Sequence, residues 1–260
     1  MKPFFDIFGA KVPFYGTLIV CAYLIGVVIA IHNAKKYGMP KEDIIFASTY
    51  AALGLFLGAK LLYFITLLPK LIGHFDLLFK YPAEFLAYIF GGYVFYGGFI
   101  GVVLGVWIYC ARYKVSKIVM INCLTPVIPF IHSIGRIGCF MAGCCYGIEY
   151  HGPLCIHFPV NEISPELSLV PRFPVQLLES GLNMMLFIVL MMIGRKKRQD
   201  AKILGIYLIC YSVLRFILEF LRGDIIRGQL LGITTSQWVS VFLLPLGVYL
   251  VLKKEILKKH

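Results

Sequence analysis

One guanidinium, Arg136, sits among glycines and thiols in the stretch Ile134–Gly147, read IGRIGCFMAGCCYG, just after the apolar run Ile118–Ile131 that Pro126 and Pro129 interrupt. At the edge of a hydrocarbon layer an arginine is costly unless it meets an anion or a wet cavity. Glycines let a backbone or a ligand come close. A guanidinium also presents paired donors that match the geometry of a phosphate. The stretch therefore reads as a pocket for an anionic headgroup at a membrane surface. The competing reading is an interface anchor whose side chain snorkels to water.

Other polar groups recur at helical spacing. Arg215, Glu219 and Arg222, in LRFILEFLRGD, stand four and three apart, so they share one helix face as an ion-pair ladder that leaves one arginine partly free for an anion. In RFPVQLLES, Arg172 precedes Pro174, a residue suited to a first helical turn, and Gln176 and Glu179 lie three apart on one face. Gln176, Glu179 and Gln237 also suit plain hydrogen bonding between helices. In YVFYGGFIGVVLG, Gly97, Gly101 and Gly105 recur every four residues, a small-residue stripe for close helix packing, with Tyr96 at its head and Gly98 beside it.

Cys139, Cys144, Cys145 and Cys155 cluster near His151 and His157. Zinc, an outward-facing disulfide and plain buried thiols are all compatible with them, and the spacing lacks the usual C-x2-C pair of a zinc site. Arg136 lies three positions before Cys139 and would favour its thiolate. His132, one turn before Arg136, is among the few side chains here able to take a proton near neutral pH.

The elements that carry these residues are membrane spans. Hydrophobic residues make up 60% of the 260 and charged ones 15%, with a mean hydropathy of +0.84, where soluble domains carry about 25% charged residues. Runs of about 20 apolar residues cross a bilayer. Seven can be read, at roughly 13–32, 44–67, 86–111, 118–133, 175–194, 203–221 and 235–252. The expected fold is an all-α integral membrane protein, one polytopic domain over 1–260. The third span is the longest, the fourth is short and broken or kinked by its prolines, and an irregular outer-face segment follows at about 134–173.

Lys and Arg set the orientation. Fifteen fall in the loops after spans 1, 3 and 5 and at the C-terminus, against eight on the opposite side. This predicts the N-terminus outside, the C-terminus cytoplasmic, and the glycine–cysteine segment toward the outer leaflet. The net charge of +12 then meets anionic membrane lipid and calls for no nucleic acid. No cleavable signal peptide is expected, because span 1 does not end in small residues.

Taken together these segments resemble prolipoprotein diacylglyceryl transferases, integral membrane enzymes of the bacterial cytoplasmic membrane. GRIG, the phenylalanine that follows and the YG ending resemble the family signature. FYG at Phe14–Gly16 is similar to its tyrosine–glycine in the first span. LGAKLLYF at Leu57–Phe64 is similar to its glycine–alanine–arginine segment. FYGGFIG at Phe95–Gly101 resembles its histidine–glycine–glycine motif, and FPVQLLES at Phe173–Ser180 its histidine–proline–x–glutamine–leucine–tyrosine–glutamate motif. LRFILEFLR at Leu214–Arg222 resembles its arginine-rich sixth span, and TSQW at Thr235–Trp238 its final glutamine motif.

The resemblance implies transfer of the diacylglyceryl group of phosphatidylglycerol to the lipobox cysteine thiol of a prolipoprotein, giving a thioether and glycerol 1-phosphate. It implies no metal and no organic cofactor. Arg136 and Arg222 would hold the phosphate, with Tyr96 near the reacting centre. Tyr15, Lys60, Gly97, Gly98, Cys139, Gly147, Gln176, Glu179, Arg215, Glu219 and Gln237 would contact substrate. Four positions depart from the family pattern. Lys60 replaces an arginine, Tyr96 the histidine before Gly-Gly, Cys139 the asparagine after GRIG, and Phe173 the histidine before proline. A phenol is a poor base at neutral pH, so Tyr96 orients substrate, or an arginine activates it, or His132 takes its place. The changes also leave open a transferase of the same fold with another acceptor, and a non-enzymatic protein that binds or moves anionic lipid.

Overall fold

A chain in hydrocarbon must satisfy its backbone hydrogen bonds internally, so long apolar runs become helices. The computed structural model describes residues 4–7, 9–71, 80–159, 168–223, 229–230 and 232–253. Lys2, Arg227, Lys254, Lys258 and Lys259 of the charge bias, and 160–167 of the expected irregular segment, lie outside the described residues. The elements are β1 (Phe4–Ile7), β2 (Ala10–Pro13), α1 (Phe14–Lys35), α2 (Lys41–Leu71), α3 (Pro82–Gly91), α4 (Phe95–Arg112), α5 (Lys117–Leu124), α6 (Val127–Ala142), α7 (Val175–Ile193), α8 (Lys202–Leu218), a short 3-10 turn at Glu219–Leu221, β3 (Gln229–Leu230), β4 (Ile233–Thr234) and α9 (Thr235–Leu252).

Among the described residues, seven helical stretches are long and apolar enough to cross a membrane: Phe14–Lys35, Lys41–Pro69, Phe95–Arg112, Lys117–Ala142, Val175–Ile193, Lys202–Leu221 and Thr235–Leu252. Leu57, Phe95 and Phe242 are largely exposed, whereas Asn33, Gln176, Glu179, Asn183 and Arg215 are buried. That inversion of the soluble pattern suits a surface facing lipid.

Two spans differ from expectation. The third is not one long helix: α3 and α4 are separate, and the chain between them is extended at Gly92 and Val94. The Val94 N–H donates there to the Ala59 carbonyl at 3.2 Å. The fourth is longer than expected. It breaks at Thr125–Pro126 into α5 and α6, and α6 continues to Ala142. Pro129 falls in the first turn of α6, where a missing N–H costs no intrahelical bond. The stretch 134–142, expected to be irregular, is therefore helical and carries Arg136 and Cys139 on a rigid element.

The chain divides into two compact units, residues 38–120 and residues 1–37 with 121–260. In the 38–120 unit α4 lies along α2. A Cβ on Gly97, Gly101 or Gly105 would come within 2.3 Å, 1.9 Å and 2.3 Å of the carbonyl oxygens of Gly58, Gly54 and Tyr50. The expected packing stripe is thus present, and its partner is a second glycine pair on α2. The Tyr109 hydroxyl donates to Asp43 Oδ1 at 2.7 Å.

In the other unit α6 packs against both α1 and α7, and α8 against α9. Its two ends differ in character. At one end Lys36 Nζ donates to the Gly194 carbonyl, the Arg198 N–H donates to the Tyr37 hydroxyl, and Arg198 pairs with Asp200 at 3.1 Å. At the other end lie the N-terminus of α1, the C-terminus of α6, the N-terminus of α7 and the C-terminus of α8.

Candidate active site

The last turn of α6 is closed by Gly143, which adopts φ 69° and turns the chain back. Such left-handed caps suit glycine and let the following N–H groups reach the last carbonyls. The Cys144 N–H accordingly donates to the Cys139 carbonyl at 3.1 Å. Cys145 is itself left-handed at φ 56°. The resulting hook brings the thiols of Cys139, Cys144 and Cys145 within 4.8 Å of one another, and none of the three is in a disulfide. Cys155, grouped with them by sequence, is a free thiol but not part of that cluster. Gln176 Nε2 at the start of α7 donates to the Cys144 carbonyl at 2.9 Å and so anchors the hook.

Arg136 does not point alone into a pocket. Its Nη2 lies 3.0 Å from Glu179 Oε1 across the α6–α7 contact, and its Nε donates to His132 Nε2 at 3.3 Å. His132 Nε2 is also 3.3 Å from Glu179 Oε1. Behind this triad the Ser133 and Ser180 hydroxyls lie 3.0 Å apart, and each makes a 2.9 Å bond to the other's carbonyl. These bonds hold the two helices in register. The sequence placed His132 one turn before Arg136 and Glu179 in a separate span. It gave no signal that one carboxylate would serve both basic side chains.

The sixth-span ladder is partly as expected. Arg215 Nη2 pairs with Glu219 Oε2 at 2.6 Å and donates to Ser236 Oγ at 2.9 Å. Arg215 Nη1 is buried without a hydrogen-bond partner among the described residues. Arg222 stands in extended backbone after the 3-10 turn. There it bridges Gly147, while the Gly223 N–H donates to the Tyr146 carbonyl at 3.1 Å. On the other side of this strand the Phe173 N–H donates to the Ile148 carbonyl at 3.0 Å, and the Arg172 guanidinium lies 4.4 Å from the centre of the Tyr146 ring. A Cβ on Gly147 would come 2.3 Å from the Phe173 carbonyl oxygen, so this crossing admits only glycine.

Electrostatically these groups form one cluster. Glu179 interacts with Arg136, His132 and Arg215. Arg222 interacts with both Arg136 and Arg215, and Cys145 with Arg136 and Arg222. Among the described residues, three guanidiniums face the carboxylates of Glu179 and Glu219, which leaves one positive charge in excess. Tyr15, half-exposed at the start of α1, packs on Gly138, where a Cβ would come 2.9 Å from its ring.

The remaining residues have other surroundings. Gln237 forms a reciprocal cap with Thr234: its Oε1 accepts from the Thr234 N–H at 3.0 Å, and its own N–H donates to Thr234 Oγ1 at 3.3 Å. Its side chain is thus engaged in starting α9. Lys60, Tyr96, Gly97 and Gly98 belong to the 38–120 unit. Lys60 Nζ donates to the carbonyls of Phe90 and Gly92 and sits 4.0 Å from the Tyr93 ring centre. Gly97 and Gly98 pack against α2, and Tyr96 is exposed with its ring edge-on to Phe95. A cavity of about 470 Å³, lined by His32, Asn33, Lys36, Met191 and Arg195 among others, lies at the opposite end of α1 and α7 from Arg136.

Comparison with known proteins gives one consistent answer. A family model described as Prolipoprotein diacylglyceryl transferase matches residues 2–253. The chain is similar to a phosphatidylglycerol–prolipoprotein diacylglyceryl transferase of Clostridium tetani, 32% identical over 250 residues that cover 96% of each chain. It is similar to such a transferase, numbered 2, of Clostridium perfringens, 31% identical over 94% of this chain and 92% of the relative. It is also similar to one of Aromatoleum aromaticum, 30% identical over 94% and 91%.

Proposed function

The chain belongs to the prolipoprotein diacylglyceryl transferase family, and from that premise we propose that it moves the diacylglyceryl group of phosphatidylglycerol onto the lipobox cysteine thiol of a prolipoprotein. The products are a thioether and glycerol 1-phosphate. The observation that carries this reading is the single excess positive charge of Arg136, Arg215 and Arg222 over Glu179 and Glu219, since a phosphodiester brings one negative charge. A buried donor left unpaired costs about 1–3 kcal/mol. A phosphate oxygen on Arg215 Nη1 would satisfy that donor. Donors fixed beforehand also stabilise charge that grows on the departing phosphate, the usual source of catalysis in such sites.

Arg136, Arg222 and Arg215 Nη1 hold the phosphate in this reading, with Glu219 and Glu179 positioning them. Tyr15, Cys139, Gly147 and Gln176 form the wall beside the headgroup, and Tyr96, at the head of the α4 glycine stripe, is assigned to orient substrate by its place in the family motif. The protein lies in the bacterial cytoplasmic membrane with its N-terminus outside and its C-terminus cytoplasmic, and the site faces the outer leaflet. Two facts support that orientation: the excess of Lys and Arg in the loops assigned to the inside, and the position of Lys36, Arg195 and Arg198 at the helix ends opposite Arg136.

Complementation tests the reading. Expressed in bacteria depleted of their own enzyme, the chain adds the mass of one diacylglyceryl group to a reporter lipoprotein. An unmodified reporter, with the protein folded in the membrane, would reject it. Cys139 and Tyr96, which stand where the family carries asparagine and histidine, favour a second reading: the same lipid donor with a different acceptor thiol. A lipidated small thiol with untouched lipoproteins would select it.

A further inference from the structure

Cys139, Cys144 and Cys145 come from two sides of one hook, the last turn of α6 and the return past Gly143. Their three sulfurs lie within 4.8 Å of one another. A zinc ion with Zn–S bonds of about 2.3 Å sets neighbouring sulfurs about 3.8 Å apart in a tetrahedron. Small side-chain rotations span that difference. Cys139 is buried, whereas Cys144 and Cys145 are half-buried. The three ligands thus leave one face of an ion open. Three protein ligands with an open fourth position is the arrangement of catalytic rather than structural zinc. Thiolates select zinc over hard cations such as magnesium and calcium.

We propose that Cys139, Cys144 and Cys145 hold one Zn²⁺, and that its open position takes the acceptor thiol as a thiolate. The proposal rests on the transferase reading above and supplies what that reading lacks here. A thiol reacts as its thiolate, and this chain carries Tyr96 where the family carries histidine. A thiol that coordinates zinc is deprotonated at neutral pH. The acceptor S–H gives up its proton on binding. Its sulfur then forms the C–S bond to the glyceryl carbon with its own electron pair. The C–O bond to phosphate breaks, its pair stays on the phosphate oxygen, and that oxygen takes up the equivalent of the released proton. The product sulfur is a neutral thioether, a weaker ligand than a thiolate, so the position reopens.

The test uses the full-length protein in detergent, loaded with Zn²⁺ or Co²⁺ and then desalted. The expected result is one metal per chain and a thiolate-to-cobalt charge-transfer band. Cys139→Ser, Cys144→Ser and Cys145→Ser each weaken binding by more than about a hundredfold, while Cys155→Ser leaves it intact. A lipobox peptide with its cysteine shifts the cobalt spectrum, and the same peptide with serine does not. Absence of retained metal, or a cobalt spectrum indifferent to the cysteine peptide, overturns the proposal. Both readouts come from the unmutated protein, so a serine variant that fails to fold does not decide the matter. A metal-free protein that still lipidates a reporter rejects the zinc site and keeps the transferase reading. A thiol-responsive metal site in a protein that leaves lipoproteins unmodified does the reverse.

Discussion

Arg136 Nη2 and Glu179 Oε1 lie 3.0 Å apart across the α6–α7 contact, with the Glu179 side chain only 2% exposed. Removing one member of a buried pair strands the other charge and costs about 3–5 kcal/mol. Arg136→Ala and Glu179→Ala are each expected to melt well below the parent in detergent and to lose lipid transfer. The double variant Arg136→Leu/Glu179→Leu is expected to regain most of the melting temperature and none of the turnover. Turnover in the double variant at the parent rate would remove both residues from the site.

The α2–α4 glycine contact makes a prediction confined to stability. A side chain at Gly101 would meet the Gly54 carbonyl carbon and oxygen, which are backbone and cannot rotate away. Gly101→Val is expected to cost about 1–3 kcal/mol and to raise protease sensitivity within 38–120. Gly181→Ala on α7, where nothing lies within 4 Å of the added carbon, is expected to be neutral or to stabilise by about 0.4–1 kcal/mol. Thermal melts of the two variants compare the effects directly.

Lys60 is expected to act through the carbonyls it caps. It joins α2 to the end of α3 at Phe90 and Gly92, and a cation is favourable at a helix C-terminus. Lys60→Met is expected to lose about 1.5–3 kcal/mol. Lys60→Arg, the residue type the family carries there, should keep both stability and rate. A fully stable Lys60→Met would contradict the capping role.

Thr234 and Gln237 satisfy each other's N–H groups at the start of α9. Thr234→Ala and Gln237→Ala are each expected to cost about 1 kcal/mol. Because the two bonds form one box, the double variant should cost less than their sum. A double-mutant cycle read by chemical denaturation measures the coupling, and strict additivity would show the box to be energetically idle.

What was legible in the sequence followed from chain-local physics. Seven apolar runs gave the seven spans, and the four-residue recurrence of Gly97, Gly101 and Gly105 announced the packing of α4. The i, i+4 spacing of Arg215 and Glu219 gave their pair. The failures are equally physical. Hydropathy cannot see that extended backbone at Gly92–Val94 splits an apolar run. Polar glycine–cysteine composition disguised the helical turns 134–142 as loop. The pairing of Arg136 with Glu179, 43 positions later, depends on which helices become neighbours, and no local period encodes that. Gln237 was assigned to substrate through its likeness to a family motif, and its side chain is engaged in the capping box with Thr234.

The crossing where Gly147 bridges Arg222 and Ile148 accepts from Phe173 is built from main-chain bonds. Main-chain bonds are blind to side-chain identity but strict about count. Apart from Gly147 and the side chains of Cys144, Cys145, Tyr146, Arg172 and Arg222, this crossing can therefore drift in sequence at little cost. A one-residue insertion or deletion between Cys144 and Ile148 would turn alternate side chains to the opposite face and shift Arg222 against Arg136. Substitution-tolerant and length-intolerant, the segment would evolve under a constraint that a tally of conserved side chains would miss and that a deletion scan would reveal.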